Sequence, residues 1–285
     1  MRRDDQRRAA FTAGERSMSA TPEVTLVRDG GVAIVTLNRP AAKNALTSGM
    51  FDELTALFKA FRDDDEVRSV VLSGAGGDFC AGGDVKGMGQ GGPRTPEQRR
   101  TGMARCRDLA IAMASLDKPV IAALDGVAYG AGVSLALLAD IVLVSKRVRM
   151  ALVFHRIGLV PDVGAWYTLP RAVGPQRAKE LIFSAREFGA AEAKEMGLAM
   201  EVLAPEALLP RALAIAHSFE GASATALSLS KQALRASLQS ELPTMLDLEA
   251  AAQAIAIGSD YARESVRRFV AKEPAQFRWP VRSTD

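Results

Sequence analysis

Two glycine-rich turns, each placed after a β-type run and leading toward a helix, constrain this chain more than any other feature. The first is Phe79-Cys80-Ala81-Gly82-Gly83-Asp84-Val85-Lys86 and the second is Gly126-Val127-Ala128-Tyr129-Gly130-Ala131-Gly132. Small residues let backbone N–H groups approach a ligand oxygen, and a helix N-terminus adds partial positive charge. Brought together, the two turns would aim a pair of donors at one oxyanion. Either one alone is also readable as a tight turn or a close helix contact. A dinucleotide fold does not fit, because Gly130-Ala131-Gly132 lacks a third glycine and Asp140 follows too early. A phosphate loop of the Gly-Lys-Ser/Thr type is ruled out by its missing ending.

The surrounding pattern is α/β. Val24–Arg28 and Val32–Asn38 flank Asp29-Gly30-Gly31, a hairpin signal. Thr47 precedes an i, i+3, i+4 stripe of Phe51, Leu54, Leu57, Phe58 and Phe61, which predicts a helix to about Arg62. Ser69–Ser73, Val120–Leu124 and Ile141–Ser145 read as buried strands, with a long glycine-rich loop over Gly74–Gly92. A helix is expected from Glu97 to Leu116, two short ones over Pro161–Val173 and Pro175–Ser184, and a third over Ala191–Met196. From Pro205 the chain is rich in Ala and Leu at helical spacing. The expected organisation is an extension over 1–20, an α/β core over 21–204 and a helical region over 205–285.

Charge separates the function classes. The net charge is +3, but residues 1–17 hold five arginines against three acids, so the rest of the 285-residue chain is nearly neutral. With no interleaving of basic and aromatic residues, nucleic-acid binding is not expected. The acids in the first 17 residues and the lack of an apolar stretch argue against a targeting peptide, and Met18 is a plausible alternative start. No apolar run reaches the roughly 20 residues a membrane helix needs. Cys80 and Cys106 lack a paired base and read as small buried hydrophobes, and a reduced, cytoplasmic setting fits them.

Five motifs in order carry a resemblance: Asn38-Arg39-Pro40, Asn44-Ala45-Leu46, Phe79–Asp84, Lys118-Pro119-Val120-Ile121-Ala122-Ala123 and Gly158-Leu159-Val160-Pro161-Asp162. Together they resemble the crotonase (enoyl-CoA hydratase/isomerase) superfamily, over about Glu23 to Phe277. The resemblance implies a spiral of ββα units, a helical C-terminal region that makes trimers or dimers of trimers, and an acyl-CoA thioester as substrate. It implies no further cofactor, since coenzyme A belongs to the substrate, and no metal. It places oxyanion donors on the N–H groups of Gly83 and Ala131. Coenzyme A would lie along Ala81, Gly83, Asp84, Val85 and Lys86, with Lys272 reaching its phosphates, often from a neighbouring subunit. Asp84 reads equally as a turn or capping residue. Ala131 replaces the commoner glycine, which a backbone donor tolerates if its φ is negative.

Reaction does not follow from fold, so the acid/base residues decide. Hydratases of this family use two glutamates, and the matching positions here are Ser134 and Phe154, neither of them a base at neutral pH. One carboxylate remains, Asp162, at the position where isomerases of the family carry a catalytic acid. A single carboxylate can move a proton between two carbons if the enolate between is held. Tyr129, Phe154 and Trp166 are the expected pocket residues around it, raising its pKa by burial. The competing reading is an N-cap aspartate at the start of the 161–173 helix. A dehalogenase-like nucleophilic role would need a histidine on the 97–116 helix, which has none. His155 is a rim or packing residue, and Asp125 and Asp140 are structural. The expectation is an enoyl-CoA double-bond isomerase, with a hydratase or a non-catalytic acyl-CoA-binding protein as alternatives.

Overall fold

The structure, a computed structural model, describes residues 21–88, 92 and 95–281. The expected extension over 1–20 lies outside the described residues. Strands β1 (Val24–Asp29) and β2 (Val32–Leu37) pair antiparallel with Asp29 opposite Val32. Gly30-Gly31 is therefore the hairpin turn, and Gly30 takes a φ of +54° that favours glycine. β3 (Ser69–Gly74), β4 (Val120–Leu124), β6 (Ile141–Ser145) and β9 (Glu201–Leu203) add in parallel, in the order β1-β2-β3-β4-β6-β9. A second sheet has the order β5-β7-β8, from Val127–Tyr129, Arg149–Ala151 and Glu187–Gly189. These four shortest strands, β5 and β7 to β9, have three residues each, too few for a period to be visible in sequence.

The large sheet is covered on both faces, which explains why its inner strands are continuously apolar. On one face α1 (Ser48–Arg62) packs with α4 (Ala104–Ala114), joining Leu54, Phe58, Phe61, Leu109 and Met113 to Val70 and Leu72 of β3. On the other face α8 (Pro205–Ser218) sets Leu208, Ala212 and Ile215 against Val71, Ile121 and Leu143. Alternate residues of β3 thus serve opposite cores. Although the sequence reading begins the helical region at 205, its first helix is a layer of the core.

The expected 97–116 helix is two, α3 (Pro96–Gly102) and α4, separated at Met103. The short α2 (Val85–Met88) interrupts the long glycine-rich loop, and α5 (Ala131–Ala136) starts directly on the second turn. The pair expected over 161–184 is α6 (Ala165–Ser184), broken at Gly174 (φ +77°) before Pro175, and it begins four residues later than expected. α7 (Ala190–Glu195) follows. The last helices, α9 (Ala224–Ser237), α10 (Leu242–Ile257) and α11 (Asp260–Val270), bury no residue in the single chain. They leave Leu234, Leu238, Leu242, Leu246, Ile255 and Phe269 exposed. Among the described residues no helix is long and apolar enough to cross a membrane.

Candidate active site

The two glycine-rich turns are joined by main-chain hydrogen bonds. Cys80 N–H donates to Val127 O at 2.9 Å, and Tyr129 N–H donates to Cys80 O at 2.9 Å. A Cβ built on Gly132 would lie 2.4 Å from Cys80 O, and one built on Gly82 would lie 3.6 Å from Ala131 N. These close approaches explain the small residues on both sides. They bring the N–H groups of Gly83 and Ala131 into one neighbourhood. Neither donates a hydrogen bond to another described group. Ala131 is absent from the positive-φ residues, so its Cβ brings no backbone strain there.

The first turn is also tied to the Asn38–Thr47 segment. Leu46 N–H donates to Gly82 O at 2.8 Å, and Asp84 N–H donates to Leu46 O at 2.9 Å. Asn44, 0% exposed and at φ +56°, fixes this segment with its side chain. Its Oδ1 accepts from Arg39 N–H at 2.8 Å, and its Nδ2 donates to Ala75 O at 2.9 Å and Asp78 O at 2.7 Å. The Arg39 side chain in turn pairs with Asp84 at 3.1 Å and Glu23 at 2.9 Å. Asp84 therefore holds an ion pair beside the first turn. Sequence reasoning quoted Arg39 and Asn44 as motif residues but gave them no task. Arg39 and Asn44 bond each other locally, but their partners Ala75, Asp78 and Asp84 lie 31 to 45 positions away.

Asp162 departs from the N-cap reading. The α6 helix starts at Ala165, its cap position is Gly164, and no side chain caps it. Asp162 is half-buried, and its Oδ1 is buried with no hydrogen-bond partner. Burial pushes the carboxyl up to about 6, against a lowering by its own backbone N–H. The segment packs on α4 and the end of α5: a Cβ on Gly164 would meet Leu138 at 3.4 Å and Ala110 at 3.8 Å. Cys106, one turn before Ala110, has its thiol pushed up to about 12, chiefly by burial and further by the Asp162 charge.

The expected pocket residues take the following places. Trp166, in the first turn of α6, is 63% exposed in the single chain. Tyr129 directs its hydroxyl to the Glu187 carboxylate of β8. Phe154 is buried and lies against Gly130, where a Cβ would meet its ring at 3.7 Å. Ser134 is fully buried and donates back to Gly130 O at 3.3 Å. No carboxylate stands at either of those two positions.

Val85 and Lys86 are exposed beyond the first turn, and Ala81 is half-buried, its N–H donating to Lys43 O at 2.8 Å. Lys272 is exposed at the end of α11, with a φ of +57°. His155 stacks on Phe183, ring centroids 6.0 Å apart. Cys80 is fully buried and its thiol is pushed up to about 12 by burial. Asp140 accepts from Val120 N–H at 2.8 Å and Lys231 at 2.6 Å, and Asp125 pairs with Arg147 at 2.5 Å. The described residues contain no cluster of metal-ligating side chains.

Comparison with known proteins agrees with this architecture. A family model described as enoyl-CoA hydratase/isomerase matches residues 28–280. The 1,2-epoxyphenylacetyl-CoA isomerase of Escherichia coli (strain K12) is 36% identical over 249 residues, covering 87% of this chain and 95% of that protein. The short-chain-enoyl-CoA hydratase of Clostridium acetobutylicum is 34% identical over 250 residues, covering 87% and 95% respectively. A crystal structure of an enoyl-CoA hydratase/isomerase from Cupriavidus metallidurans CH34 superposes with a TM-score of 0.84 at 42% identity, covering 93% of this chain and 100% of that one. The chain belongs to the enoyl-CoA hydratase/isomerase family and has the crotonase fold.

Proposed function

We propose that this acyl-CoA-processing protein is an enoyl-CoA double-bond isomerase in which Asp162 moves the proton. The observation that carries the reading is the half-buried carboxyl of Asp162, with Oδ1 unpartnered and its pKa pushed up to about 6. The two positions that the family resemblance matches to the hydratase glutamates hold Ser134 and Phe154. At pH 7 such a carboxyl is mostly ionised yet basic enough to take a carbon-bound proton.

In this reading Asp162 takes the proton from C2 of a 3-enoyl-CoA, and the electron pair moves onto the thioester oxygen as a dienolate. The N–H groups of Gly83 and Ala131 hold that oxygen. Removing one such donor typically costs about 10²–10³ in rate. Asp162 then returns the proton at C4, leaving the double bond between C2 and C3. No redox cofactor enters, because atoms and charge balance within the substrate and one carboxylate. Coenzyme A runs along Ala81, Gly83, Asp84, Val85 and Lys86, with the exposed Lys272 available to phosphates across a subunit boundary. The uncovered apolar residues of α9 to α11 support assembly into a homotrimer or a hexamer built from two trimers.

Hydratase names among the relatives favour a second reading, in which another group activates water. Giving the full chain 3-enoyl-CoA and 2-enoyl-CoA in parallel, with Asp162→Asn as control, separates the two. Isomerisation lost in Asp162→Asn supports the proposal. Hydration untouched by that change, without isomerisation, overturns it. Retained acyl-CoA binding with no turnover would leave a binding protein.

A further inference from the structure

The two glycines that carry the first oxyanion donor have no side chains to fix them. Gly82 takes a φ of +101°, and Gly83 follows it, so the peptide between them, which bears the Gly83 N–H, rotates readily unless something outside holds it. Asp84 is the next residue with a side chain, and that side chain is paired with Arg39.

We propose that Arg39 is the positioning residue for the Gly83 donor, holding it on target through the Arg39–Asp84 pair. This rests on the oxyanion role proposed for Gly83. The guanidinium spends its donors on three separate chain segments. Nε reaches Glu23 at 2.9 Å, Nη2 reaches Asp84 at 3.1 Å and Nη1 donates to Ala45 O at 2.5 Å. Glu23 in turn accepts from Thr47 Oγ1 at 2.6 Å, and the same Oγ1 caps α1 by accepting from Met50 N–H at 3.1 Å. The Arg39 backbone is anchored independently by the buried Asn44. The clamp is thus fixed at both ends.

What it fixes follows from the main-chain pairing. The short ladder uses the C=O of Gly82, the N–H of Asp84 and both main-chain groups of Leu46. In such a parallel pairing the residue opposite Leu46 directs its own N–H off the other edge. Gly83 is that residue. Arg39 grips the ladder at its Asp84 end and sets the tilt of the donor. The guanidinium and the Asp84 carboxylate are each 23% exposed, so the pair is held more firmly than a fully solvated one. A planar guanidinium suits the task, since one ammonium cannot span three segments in a fixed fork.

The test reads the donor directly. [1-¹³C]Butyryl-CoA, a saturated thioester that cannot isomerise, is bound to the full-length protein and its carbonyl ¹³C shift is measured. Binding to the unaltered protein moves the signal downfield, and Arg39→Met and Asp84→Asn each lose most of that movement. In turnover of 3-enoyl-CoA, kcat falls about 10–100-fold in both variants, the cost of a misplacement near 1 Å, while KM of Arg39→Met changes less than about 3-fold. Arg39→Lys recovers part of kcat. The double variant loses less than the product of the two single losses, because the Arg39–Asp84 contact is shared between them. A carbonyl signal as far downfield in folded Arg39→Met as in the parent overturns the inference alone. No downfield movement in the parent removes the oxyanion reading and the inference with it. If Arg39→Met does not fold, the carbonyl shift in Asp84→Asn decides in the same way, because Glu23 and Ala45 still hold Arg39.

Discussion

Gly132 packs so closely on Cys80 that a Cβ at Gly132 would stand 2.4 Å from the Cys80 carbonyl oxygen. This contact fixes how closely the two glycine-rich turns approach each other. Gly132→Ala must push Cys80 O away and spread the turns. We expect a loss of stability of about 1–3 kcal/mol, measured by urea unfolding. A fall in kcat of about 10²-fold accompanies it, with much less change in acyl-CoA affinity.

Asp162 makes the folded state pH-sensitive. Its folded pKa of about 6 lies above the ordinary 3.8, so the folded protein holds that proton more tightly than the unfolded chain. Stability is favoured below pH 3.8, declines as pH rises from there to about 6, and the full penalty applies above. It amounts to about 3 kcal/mol at neutral pH. Asp162→Asn removes it, so the stability of the variant relative to its parent improves by about that amount between pH 4 and pH 7.5. Urea unfolding at the two pH values checks this.

If Asp162 is the base proposed above, the same carboxyl should set the acid limb of the rate. A base that must be ionised gives a kcat/KM that falls tenfold per pH unit below its pKa. The profile for 3-enoyl-CoA should bend near pH 6. An ordinary exposed aspartate would place the bend close to 4.

Much of this architecture was legible in residues whose signal is local. Gly30-Gly31 between two alternating runs announced the hairpin, and the order of five motifs announced the family. What stayed hidden depends on non-local contacts. The break at Met103 follows Thr101-Gly102, two weak helix formers, but an isolated glycine inside a helical pattern does not by itself announce a break. The late start of α6 depends on packing against α4 and α5, while Tyr129 is drawn to Glu187, far along the chain. The Arg39–Asp84 pair links residues 45 positions apart, and a sequence read in windows cannot pair them.

His217 ties the first hairpin to α8. Its Nδ1 lies 2.8 Å from Glu220 Oε1 and its Nε2 lies 3.1 Å from Asp29 Oδ2. Burial lowers the His217 pKa, but the hydrogen bonds to Glu220 and Asp29 outweigh it and leave the pKa raised. The stabilisation is fully present below the unfolded value of 6.5 and is lost as pH rises through the higher folded value. The site is partly exposed, so the effect is at most about 1 kcal/mol. His217→Gln should be less stable than the parent at pH 5.5 and indistinguishable from it at pH 9.

The central claim is that Asp162 carries the proton. Its most direct test is kcat/KM for 3-enoyl-CoA at pH 7.5 in the parent, in Asp162→Asn and in Asp162→Glu. The account predicts a loss of about 10²–10⁴-fold in Asp162→Asn, with acyl-CoA still bound, and partial activity in Asp162→Glu. An Asp162→Asn protein that isomerises 3-enoyl-CoA at the parent's rate would contradict it.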